Sequence, residues 1–155
     1  MSHRLSAVSA EDFSQVDIID AAGVLDHLPM SECIGMMAQA MIAVSEGAST
    51  RPARTIMPLV DGSAYLGIMP GSLSSPLVCG VKVVSLHPAN ASAGRPTIHG
   101  VVILFDHHTG RPSRATPEQI TVYKSVGVVA QDLVAAHAIY LSYCRKLGRP
   151  IDGRE

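Results

Sequence analysis

Residues 54–69, RTIMPLVDGSAYLGIM, read as two short strands folded back on each other. Asp61-Gly62 lies between the apolar runs Arg54–Val60 and Ala64–Met69. An Asp-Gly pair in that position is a strong hairpin signal, because glycine takes the positive φ that a tight turn demands. Further along, Val78–Leu86 and Gly100–Asp106 are again rich in Val, Ile and Leu and predict two more strands. Met69-Pro70 is expected to end its strand and open a Gly/Ser-rich loop over Gly71–Ser75, either a pocket wall or a surface turn. His107 to Gly110 makes another turn, and Ile120–Val126 is a final apolar stretch.

Helices flank these strands. Asp20 to Leu28 places Ala21, Val24, Leu25 and Leu28 at helical spacing. Met30 to Glu46 carries Ile34, Met37, Met41 and Val44 as a stripe expected to pack on the core, with Gly47 placed to cap the C-terminus. Val129 to Leu147 sets Leu133, Ala136, Tyr140 and Cys144 on one face and ends with Arg145, Lys146, Gly148 and Pro150. The fold class expected is α+β: a mostly antiparallel sheet with packed helices.

Composition narrows the function. Apolar residues are 47% of the 155, charged residues 16%, and the formal net charge is -1. That is a globular chain with no electrostatic reason to bind nucleic acid or an anionic membrane. Trp is absent and aromatics are 4%, which argues against a base-stacking platform. The long uncharged run, 62–81, is broken by proline, glycine and serine and does not suit a membrane helix. Cys33, Cys79 and Cys144 are widely spaced and read as reduced thiols, and a cytoplasmic location is expected. The histidines show no metal-binding spacing, so no metal is expected, and G-x-S-x-G is missing. Neither G-x-G-x-x-G nor a Walker loop occurs.

Lys82 stands inside Val78-Cys79-Gly80-Val81-Lys82-Val83-Val84. It is either an ammonium facing a cleft that binds a carboxylate or a lysine guarding a sheet edge. Arg54 begins its strand, and arginine is the natural bidentate partner of a carboxylate; Arg51 is equally charged, and position alone does not choose between them. His87 and His99 flank the loop 88–97 and suit either ligand contact or ordinary loop roles.

Taken in order, Arg54-Thr55, Met57-Pro58-Leu59, Tyr65-Leu66-Gly67-Ile68-Met69-Pro70 and Gly80-Val81-Lys82-Val83-Val84 resemble the ornithine cyclodeaminase/mu-crystallin family. So do His87-Pro88-Ala89-Asn90, His99 through Asp106, Thr109-Gly110-Arg111-Pro112, and the segment from Pro117 to Gly127 with Asp132 after it. The resemblance implies a substrate-binding and dimerisation domain in two parts, residues 1–112 and 120–155. The junction at 113–119 would mark where the family's dinucleotide-binding domain is missing. It also implies Arg54, Lys82, Met69 and Asn90 as substrate-binding residues, with Lys82 as the catalytic candidate. The family's third arginine has no counterpart. Gly67 stands where true cyclodeaminases have glutamate, which favours the ketimine-reductase or amino-acid-dehydrogenase branches.

The expected function is thus that of a remnant of an NAD(P)-dependent imino- or amino-acid oxidoreductase. It would bind a small carboxylate as a homodimer, or as a mixed dimer with a full-length paralogue, and hold no cofactor of its own. The alternatives are a cofactor-free enzyme using Lys82 as base or Schiff-base nucleophile, or a cyclodeaminase-type lyase.

Overall fold

The Asp20 carboxylate accepts the Gly23 N–H at 2.9 Å and caps α1, Ala21–His27. In this computed structural model, which describes residues 19–108, 110 and 128–148, α1 is followed by α2, Met30–Ser45, its axis bent from α1 by 87°. Gly47, at φ 75°, takes the left-handed conformation that ends α2. The strands are β1 Ser49–Thr50, β2 Thr55–Pro58, β3 Tyr65–Ser74, β4 Leu77–Leu86 and β5 Ile98–Phe105, and α3, Val129–Lys146, closes the described chain. Among the described residues no single helix is long and apolar enough to cross a membrane.

The sheet is antiparallel throughout, in the order β1-β3-β4-β5, with β2 also paired to β3. The hairpin expected at Asp61-Gly62 is present. Gly62 has φ 69°, Asp61 Oδ1 accepts the Ser63 N–H at 3.0 Å, and the Leu59 N–H reaches the Ala64 carbonyl at 2.8 Å. The Asp61 carboxyl is held below its usual value by these Ser63 hydrogen bonds.

Alternation decides what each strand buries. Met69, Gly71 and Leu73 of β3, Val78, Gly80 and Lys82 of β4, and Val102 and Leu104 of β5 share the face covered by α3. The α3 stripe of Leu133, Ala136, Tyr140 and Cys144 is buried, as its spacing predicts. Helices α1 and α2 pack in turn on α3.

Two expectations are corrected. β3 does not stop at Met69-Pro70 but continues to Ser74, and the turn falls at Ser75-Pro76. The edge opposite Pro70 is interrupted, so the N–H that proline lacks need leave no ladder bond unmade. On α2, Ile34 is 65% exposed and Met41 41% exposed, while Ala40 and Ala43 are buried beside Met36, Met37 and Val44. The helix meets α3 where its side chains are smallest, which brings the axes close and turns part of the expected stripe outward. Ile120–Val126 and the junction 113–119 lie outside the described residues.

Close approach of α3 to the sheet depends on Gly80. A Cβ there would strike the Ile103 carbonyl oxygen and stand 2.6 Å from Leu133 Cδ2. Gly80→Ala is expected to lower stability by about 1–3 kcal/mol, as overpacking does. Urea denaturation measures it, and an unchanged midpoint would mean that helix and sheet are not in such contact.

Candidate functional site

The outer neighbour of β3 is not one strand but two. Thr50 pairs with Ser72 and Thr55 pairs with Ile68, so four residues, 51–54, stand opposite three, 69–71. One extra residue breaks the ladder, as a β-bulge does, and re-aims the side chains around it. The gap opens beside the start of α3, which comes close because Gly71 offers no side chain: a Cβ there would lie 3.2 Å from Val129 Cγ1. The result is an open cleft of about 660 Å³ lined by Arg51, Pro52, Arg54, Met69, Val128, Val129 and Gln131. Its size is that of a small-molecule site.

Lys82 is opposite Met69 in the β3–β4 register and on the same face. It is 4% exposed, and its Nζ donates to Asp132 Oδ2 at 2.8 Å; Asp132 is 1% exposed. Asp132 sits in the first turn of α3, directly after the cleft residue Gln131, where the helix dipole favours a carboxylate. Burial pushes the Asp132 carboxyl above its usual value of 3.8, while the hydrogen bond and charge of Lys82 pull it back. A folded value above the unfolded one means that this group favours the fold most below pH 3.8. That contribution is lost as pH rises through the folded value.

The structure therefore brings Arg54 and Met69 together in the cleft lining and sets Lys82 beside Met69 in the sheet, tied to Asp132. Asn90 is not among the lining residues. It lies in a 3-10 helix over Pro88–Ala93, and its Nδ2 donates to the Pro96 carbonyl at 3.0 Å, holding its own loop. His87 and His99 are also outside the lining. Arg51, Gln131 and Asp132 were not assigned roles by sequence reasoning. The available signal for Asp132 was its position four residues before Ala136, a charge on the helix's apolar stripe. Cys79 donates to the Phe105 carbonyl at 3.4 Å, and burial together with the Asp106 charge pushes its thiol up, away from a reactive thiolate.

Gly67 is buried beside this site. A Cβ there would be 2.9 Å from Val84 Cγ2 and 3.2 Å from Ile56 Cδ1, so a glutamate has no room without displacement of both neighbours.

The described residues form an antiparallel sheet backed by one long helix, with an arginine-lined cleft at a broken edge. Residues 15–114 match the model of the ornithine cyclodeaminase/mu-crystallin family, and the chain belongs to that family. It is 35% identical over 83 residues to a Δ1-pyrroline-2-carboxylate reductase of Bacillus cereus, covering 54% of this chain and 26% of that protein. It is 29% identical over 125 residues to the Δ1-pyrroline-2-carboxylate/Δ1-piperideine-2-carboxylate reductase of Azospirillum brasilense, covering 80% and 39%. The solved Δ1-pyrroline-2-carboxylate reductase of Thermococcus litoralis, in complex with NADH and L-proline, superposes with a TM-score of 0.58 at 28% identity. That match covers 63% of this chain and 30% of the other. The chain thus spans about a quarter to two-fifths of the lengths of these relatives.

These likenesses correct the expectation of no cofactor. The Thermococcus litoralis reductase holds NADH, so a missing glycine fingerprint is not a reason to separate this domain from nicotinamide chemistry.

The ion pair yields a prediction. Asp132→Ala removes the carboxylate paired with a buried ammonium and is expected to cost about 3–5 kcal/mol, whereas Lys82→Met combined with Asp132→Leu should be near neutral or stabilising. Urea denaturation of the three proteins tests it. A single variant as stable as the parent would show that the pair is not buried in solution.

Proposed function

We propose that this chain is the substrate-side domain of a nicotinamide-dependent reductase acting on imino acids or related amino acids. The observation that carries the reading is the broken edge strand, which gathers Arg54, Met69 and the start of α3 around one cleft above the Lys82–Asp132 pair. The family and the named reductases support the same reading.

In this proposal Arg54 grips the substrate carboxylate through a bidentate pair, which fixes the ring plane as well as the position. Met69, Val128 and Val129 give the ring carbons an apolar wall. Lys82, beside Met69 and neutralised by Asp132, fixes the start of α3 at the acid-binding end. Its amine is engaged and almost unexposed, so attack on a ligand carbonyl would first require the pair to open. That weighs against a Schiff-base role. The crowding around Gly67 weighs against a cyclodeaminase that needs a carboxylate there.

The apolar lining of Pro52, Met69, Val128 and Val129 fits a nicotinamide ring beside the substrate, while no parallel strand–turn–helix unit for the pyrophosphate occurs among the described residues. When bound, NADH or NADPH supplies the hydride.

The face of the sheet opposite α3 carries Ile68, Val81, Val83, Val101, Ile103 and Phe105. Among the described residues α3 is the helix that packs on the sheet, and it covers the other side. We propose that two copies of the chain cover this apolar face for each other, as isologous pairing allows.

Three measurements test these proposals. Calorimetric titration with L-proline is expected to show binding that Arg54→Ala weakens roughly 10- to 150-fold, the loss of a charge-assisted pair. Oxidation of NADH on addition of Δ1-pyrroline-2-carboxylate reads the hydride transfer itself. Unchanged affinity in the variant would place the acid site elsewhere. Light scattering at tens of micromolar is expected to give twice the 16.3 kDa chain mass, and a monomer would rule out the paired sheets.

A further inference from the structure

Among the described residues the cleft lining contains two arginines and no acidic residue. Arg51 and Arg54 make no hydrogen bond or ion pair among the described residues, and the nearby carboxylate, Asp132, is already taken by Lys82. Lys82 and Asp132 cancel each other, so the charge left for recognition is that of two guanidiniums. Like charges in one cleft repel each other, and an anion offering one group to each relieves that repulsion.

The edge break explains how both arginines reach the same space. On an unbroken strand, residues three apart point to opposite faces. Between Thr50 and Thr55 the extra residue shifts the alternation by one, and positions 51 and 54 both come to line the cleft. Three extended residues span at most roughly 10–11 Å, so the two guanidiniums can take separate groups of one small molecule. Pro52 between them removes a backbone donor and stiffens the segment that sets their spacing.

Resting on the acid-binding reading of this cleft, we infer that its ligand carries two acid groups, an imino or amino dicarboxylate. Arg54 takes the carboxylate next to the reacting carbon and Arg51 takes the distal one. Arg51 is thereby the residue that sets specificity. It separates substrates with an acidic side chain from cyclic or alkyl monocarboxylates, because each arginine left without its acid forgoes a charge-assisted pair.

Matched pairs that differ only in the second charge test this: L-aspartate against L-asparagine and L-glutamate against L-glutamine, titrated into the 155-residue protein by calorimetry. At least one diacid is expected to bind roughly 10- to 150-fold more tightly than its amide. Arg51→Ala should erase that ratio by weakening the diacid far more than the amide, and Arg51→Lys should restore part of it. Arg51 is exposed, so neither substitution threatens the fold. Equal binding of diacid and amide, or a ratio that survives Arg51→Ala, would overturn the inference and leave the Arg54 site standing. Inorganic phosphate that binds more tightly than either diacid, in an Arg51-dependent way, would also overturn it by making Arg51 a phosphate contact. Failure of every amino acid to bind, with Arg54→Ala silent, would remove the acid-binding reading together with this one.

Discussion

The contact between Lys82 Nζ and Asp132 Oδ2, at 2.8 Å, joins the central strand β4 to the first turn of α3 and lies almost wholly out of solvent. Two charges buried this way gain little net stability, since desolvation consumes most of the Coulombic gain. Each alone would be costly, and that asymmetry gives the pair its structural effect. Any arrangement of α3 that does not put Asp132 over Lys82 separates a buried carboxylate from the ammonium that donates to it. The helix is therefore fixed in rotation and height over the sheet. The cleft inherits that precision, because Val128, Val129 and Gln131 belong to the same end of the same helix.

The second constraint is the one-residue mismatch along the outer edge of β3. An unbroken edge would have continued the ladder past Met69–Gly71 and closed the space. The extra residue between Thr50 and Thr55 leaves a gap, and Gly71 lets Val129 settle against its rim. Fold and site are thus linked through small features: a glycine, a bulge and a helix end. None adds much stability, but together they decide where the cations stand.

Local signals were legible. The Asp61-Gly62 hairpin, the apolar strands, helices α1 and α3, and the Gly47 end of α2 follow from turn chemistry and periodicity that operate over a few residues. Lys82 was legible as an anomaly, a charge within a run of valines. Its partner was not, because Asp132 is 50 residues away and only the packing of α3 on β4 brings them together. Arg51 was left undecided for a similar reason: alternation sends it away from Arg54, and the register slip that brings both to one cleft is a property of the paired edge. The outward turn of Ile34 and Met41 likewise depends on where α2 meets α3, which a stripe of apolar letters does not specify.

The expectation that a chain without a glycine-rich fingerprint stands apart from nicotinamide chemistry failed for an instructive reason. That motif records where a pyrophosphate is held, not which reaction a pocket serves. A substrate-side domain needs different equipment: a fixed charge for the acid group, an apolar wall for the carbon skeleton, and exclusion of side chains that would redirect the chemistry. In the proposed reading Arg54 and Met69 meet the first two needs, and the crowding at Gly67 meets the third. Because Asp132 neutralises Lys82, the charge pair that positions α3 is separate from the charge that the proposal offers to ligand. Selection can then vary Arg51 without disturbing the core, since the exposed guanidinium supports nothing beneath it, whereas Lys82 and Asp132 can change only together.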